Sequence, residues 1–121
     1  MSTIVNILTL QTRINNLEAR LNAYNRSMII STPWVVCSED GFYTVVLGED
    51  GVSCQVEMNN DHPTLFDLAT AALVTDGFRA SNGKGTIKWV RMTEVQFIKV
   101  KIKDLDSVLD TLNGLPLPAS N

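Results

Sequence analysis

Histidine and cysteine are scarce in this chain, with one His and two Cys among 121 residues. Zinc centres need clustered Cys and His, so that chemistry is excluded. His62, between Asp61 and Pro63 at the start of a predicted helix, suits a capping or solvent-facing place better than a Ser/His/Asp triad. Cys37 and Cys54 lack a Cys-x-x-Cys spacing and are too few for a disulfide scaffold. They read as thiols in strands, with a bridge between them left open. Long apolar runs are also missing: none approaches the roughly 18 residues that span a bilayer, and the N-terminus lacks the charged region of a signal peptide. A cytoplasmic protein with no membrane partner is expected. The acidic pairs Glu39-Asp40 and Glu49-Asp50 lie in turns, not in the two contrasting environments that acid/base catalysis requires. No enzyme and no cofactor is expected. The net charge of −3 and pI near 5.0 argue against a surface that grips long nucleic acid.

What the chain does have is a heptad pattern. With Ile7 at position a, Ile14, Leu21 and Met28 follow at a, and Leu10, Leu17 and Tyr24 fall at d. No a or d site is charged, and so narrow a stripe favours a coiled coil over an ordinary surface helix. The predicted organisation is an oligomerising helix over residues 1–27 and a single β-rich domain over 28–121. Ile7, Leu10, Ile14, Leu17, Leu21 and Tyr24 form the predicted homo-oligomer interface, with parallel pairing mildly favoured by Arg13 at g facing Glu18 at e. Dimer and trimer both fit. Ile4, Val5 and Leu8 lie off the seam and could instead hold the helix on its own domain.

Beyond Met28 the pattern turns to β. "MIISTPWVVC", "GFYTVVL" and "VSCQVEM" read as strands, the last two joined by a hairpin at Asp50-Gly51. Pro63 opens a predicted helix that Gly77 ends. Residues 78–85 read as a loop, "TIKWVRM" and "EVQFIKVKI" as strands, and residues 104–114 as a short final helix followed by a loosely ordered tail. Val95 and Phe97 fall out of phase with Ile98, Val100 and Ile102, which predicts a bulge. The fold class is α+β: a coiled-coil-type N-terminal helix, an antiparallel sheet, one covering helix and a short C-terminal helix.

Charge is uneven along the chain. Residues 77–103 hold seven of the ten basic residues (Arg79, Lys84, Lys88, Arg91, Lys99, Lys101, Lys103) and one acid, Glu94. That segment is +6 and the remainder −9, giving the total of −3. A basic strip on an acidic protein points to a discrete anionic partner. The segment "GFRASNGKG" supplies an aromatic, two cations, an amide and glycines, the parts of an anion or nucleotide pocket, without the spacing of a Walker loop or a dinucleotide fingerprint. Phe78, Arg79, Asn82, Lys84, Trp89 and Arg91 are the candidate ligand-binding residues, and Arg26, where the helix meets the core, is a seventh. A flexible β-loop beside a lysine-solubilised sheet explains the same residues, and Phe78 equally reads as core.

This layout, with the heptads from Ile7 to Leu21, the β core from Met28 to Lys103 and the loop over residues 78–85, resembles the Thoeris anti-defence sponges of phages. The resemblance implies assembly through N-terminal helices and sequestration of a cyclic ADP-ribose-type signal without cleavage. It covers most of the chain as architecture and transfers no binding residue. The other reading is a phage virion or scaffolding protein joined by its coiled coil, which explains the heptads but not the basic segment.

Overall fold

The computed structural model describes residues 3–26, 32–82 and 85–114. The elements run α1 (Thr3–Arg26), β1 (Trp34–Ser38), β2 (Tyr43–Leu47), β3 (Cys54–Met58), α2 (Leu68–Asn82), β4 (Trp89–Thr93) and α3 (Glu94–Gly114). The four strands form one antiparallel sheet in the order β3-β2-β1-β4, so the fold is α+β. The expected strand residues 28–31 and the expected loose tail, residues 115–121, lie outside the described residues.

Turn chemistry sets the sheet. Gly51 takes φ +71°, and the Asp50 carboxylate accepts from the amides of Val52 and Ser53 and from the Ser53 hydroxyl. This closes the β2–β3 hairpin where Asp-Gly predicts it. Gly41, at φ +76°, turns β1 into β2 so close to α3 that an added Cβ would sit 3.4 Å from Lys101 Cδ and Val100 Cγ1.

Alternation then sorts the side chains onto two faces. Val36 and Val45 pack with Phe66, Ala71 and Trp89 beneath α2. Val35 and Cys37 pack with Phe97 of α3 on the opposite face. Cys37 and Cys54 lie on opposite faces of different strands, with β2 between them, and both are free thiols.

Three expectations are corrected. Pro63 does not open α2 and Gly77 does not end it: the helix starts at Leu68, where Asp67 Oδ1 accepts from the Thr70 amide, and continues through "FRASN" to Asn82. Residues 94–103 form no strand and carry no bulge; they open a 21-residue helix that replaces the short final one. Its start is a capping box: Thr93 Oγ1 accepts from the Gln96 amide at 3.2 Å while Gln96 Oε1 accepts from the Thr93 amide at 3.0 Å, satisfying two backbone donors at a helix end.

The third correction concerns the heptads. Ile14 and Leu17 are buried against Ile98 and Leu105 of α3, flanked by Leu10, Leu21 and Tyr24. Tyr24 meets Glu94 at one end of the pair, and Leu10 meets Val108 and Leu112 at the other, so α1 and α3 run antiparallel. The seam expected to face a second copy faces α3 of the same chain, and Ile7 is half-buried at its margin. Each fully buried Leu or Ile contributes about 2 kcal/mol, which ties α1 into the fold. The off-seam residues Ile4 and Leu8 are the exposed ones.

Candidate functional site

Two polar assemblies stand out. The first joins α1, the loop after β3 and α3. Arg13 grips Asp61 with two parallel bonds, Nε to Oδ2 at 2.8 Å and Nη2 to Oδ1 at 2.6 Å, and Nη2 also reaches Asn59 Oδ1 at 2.9 Å. One helical turn pair further on, Arg20 donates to the Asp61 carbonyl at 2.6 Å and to Glu94 Oε2 at 2.8 Å. Tyr24 donates to Glu94 Oε1. Lys101 is 1% exposed and its Nζ lies 3.8 Å from Asp61 Oδ1.

Burial pushes the Asp61 carboxyl up, but the Arg13 hydrogen bonds and the Arg13 and Lys101 charges outweigh it, and its pKa falls below the ordinary value. Lys101 moves down because of desolvation. Burial, and then the bond to Glu94, push the Tyr24 hydroxyl up to about 12. Asn59, in the left-handed region at φ 58°, donates its amide to the Phe42 carbonyl, so Arg13 and the backbone together fix this loop. Three cations share two carboxylates here, and the assembly acts as a clamp between helix and sheet. Sequence reasoning missed it, although Arg13 and Arg20, seven residues apart on one helix face, were the visible signal.

The second assembly contains the predicted ligand residues. Phe78 packs on Trp89, ring centroids 4.8 Å apart, and Trp89 is 4% exposed. Trp89 belongs to the core beneath α2 and Phe78 packs half-buried against it, so Trp89 is closed to a stacking base. Arg79 Nε donates to the Trp89 carbonyl at 2.9 Å, tying the end of α2 to β4. Arg91 is exposed and, by its pairing with Val36, lies on the α2 face. Arg79 and Arg91 therefore flank one edge strand. Asn82 closes α2, but its side chain, like Lys84, lies outside the described residues. Arg26 sits at the end of α1, on the α3 side of the sheet, with Nε turned to the Asn22 carbonyl. It is not brought to Arg79 and Arg91.

The basic strip is also divided. On a helix, Lys99 and Lys103 share a face one turn apart while Lys101 turns inward. Lys99 and Lys103 line an open groove of about 570 Å³ with Glu18, Asp106 and Asp110, and Lys88 pairs with Glu39 at 3.4 Å. A second open cleft, about 480 Å³, is lined by Ser38, Glu39, Asp40, Tyr43 and Lys88, a mixture of charges ill suited to an anion. Among the described residues no group of three or more His, Cys, Asp or Glu could hold a metal, and no helix is long and apolar enough to cross a membrane. His62 is exposed, its amide donating to Asn60 Oδ1. Compared with known proteins, the chain matches no family model, no curated protein and no solved structure.

Proposed function

We propose that this protein is a non-catalytic, homo-oligomeric binding protein that holds a small anionic, nucleotide-like ligand at the outer edge of β4, in the manner of a phage anti-defence sponge. One observation carries the reading: among the described residues Arg79 and Arg91 are the arginines of the basic segment and neither is ion-paired, while Arg13 and Arg20 are engaged by Asp61 and Glu94. Arg79 keeps both Nη groups for a ligand while its Nε holds the Trp89 carbonyl. Guanidinium forks match phosphate geometry with two bonds. Recognition here rests on charge and hydrogen bonding, since Trp89 is packed away and Phe78 is half-buried against it.

Native mass spectrometry of freshly purified protein tests it, together with thermal shift against a panel of cyclic and linear nucleotides. A retained small anion, lost in Arg91→Glu with the fold intact, is expected. No bound mass and no shift across the panel would sink the reading. A structural role in a phage virion or scaffold is the second reading, favoured by the exposed apolar side chains Val56 and Met58 on β3. It is the one left standing if the protein assembles without any ligand.

A further inference from the structure

We infer that β3 is an assembly edge, on which a second copy of this chain adds its own β3 antiparallel about a two-fold axis through Val56. This holds whether or not the ligand reading does. Hydrogen-bond parity defines the edge. Gly48 donates to the Ser53 carbonyl and Asn59 to the Phe42 carbonyl, both at 2.7 Å, so the backbone groups of residues 53, 55, 57 and 59 face β2. In an antiparallel ladder the alternate residues face away. The N–H and C=O groups of Cys54, Val56 and Met58 thus point out of the sheet. Leu47, the partner of Cys54, agrees: its amide turns away from β3 to Thr64 Oγ1.

The two ends of the sheet are treated differently. On β4, where Glu39 donates to the Lys88 carbonyl, the outward residues are Trp89, Arg91 and Thr93. Arg79 covers the Trp89 carbonyl and Gln96 covers the Thr93 amide, while Arg91 adds a charge. That edge is closed to a further strand by the devices that proteins commonly use. Among the described residues no side chain covers the outward groups of β3. The strand carries no Lys, no Pro and no bulge, and all five of its residues are exposed.

The edge is also complementary to itself. Centred on Val56, the pairing sets Cys54 against Met58 of the second copy and Val56 against its equivalent, so every outward N–H and C=O of the three residues finds a partner. Gln55 falls opposite Glu57, with an amide to donate to the carboxylate. Moving the centre to Glu57 would set two carboxylates face to face, and moving it to Gln55 would leave Met58 unpaired. Val56, 43% exposed, and Met58, 64% exposed, would then form one apolar strip across the joined sheets. A two-fold contact of this kind closes on itself as a dimer.

Sedimentation and amide hydrogen exchange on the full chain test the inference. The expected species is a dimer in which the Val56 amide is protected along with those of Gln55 and Glu57. Val56→Pro removes an outward N–H but none directed at β2, and should weaken the dimer about 30-fold through the two lost hydrogen bonds. Val56→Lys sets like charges opposite each other, leaves the backbone untouched, and decides the matter if the proline variant fails to fold. A protein that stays monomeric well above micromolar concentration, a lysine variant that still dimerises, or a wild-type Val56 amide that exchanges as fast as in that variant would each overturn it.

Discussion

Asp61 is the residue on which the most polar contacts of α1 and α3 converge, and it carries the sharpest single-site expectations. Asp61→Asn would leave Arg13 and the buried Lys101 without their counter-charge, at a cost of about 3 kcal/mol in chemical unfolding. Because the folded carboxyl sits below its ordinary pKa, the clamp's stability is present above the unfolded value, about 4, and is lost as pH falls through the folded value. A thermal-melting series against pH should therefore show a shallower acid limb in Asp61→Asn, the remainder coming from Asp40, Asp50 and Asp67, whose carboxyls are also held below the ordinary value. Lys101 is the converse case: its Nζ is 3.8 Å from Asp61 and its side chain is almost fully buried. Lys101→Met removes a desolvated charge while Arg13 still satisfies the carboxylate, so the melting temperature should hold or rise. Cys37 is fully buried and its thiol is pushed up to about 12 by that burial; it should react with a thiol reagent only after unfolding.

At the scale of elements, α3 shows what the sequence made legible and what it obscured. Ile98, Val100 and Ile102 alternate with three lysines, and that local period of two looks like a strand. The helix was nevertheless written in the Thr-x-x-Gln capping box at Thr93 and in a seam at 94, 98, 101, 105, 108 and 112. Glu94 and Lys101 disguised that seam, because buried charges at apolar positions break the hydrophobic pattern. Thr93→Ala should destabilise the protein by about 1 kcal/mol through loss of the cap, and a smaller fall in a strand-like context would be incompatible with the helix start seen here. The α1 stripe is legible as a helix-packing seam, but a sequence does not state whether the partner is another copy or, as here, a later helix of the same chain. The β2–β3 hairpin, by contrast, was fully legible, since Asp50-Gly51 encodes its turn locally.

For the molecule as a whole, the predicted ligand residues divide by burial. Trp89 is core, Phe78 is half-buried against it, Arg79 is a tie between α2 and β4, Arg91 is open, and Arg26 lies across the sheet. Composition could reveal that cations were concentrated in one segment, but not that a helix would turn Lys101 inward and Lys99 and Lys103 to another face. The same holds for assembly: the heptads drew attention to α1, whereas the unprotected β3 edge follows from a hydrogen-bond parity that only the folded sheet displays. Helix α1 completes the fold by closing its apolar seam on α3, and Leu17→Ala, measured for unfolding free energy with its sedimentation mass beside the wild type, probes that role. Leu17 is 1% exposed against α3, so the expected result is a loss of about 3 kcal/mol with the mass of the native assembly unchanged. An unchanged unfolding free energy with a dissociated assembly would contradict it.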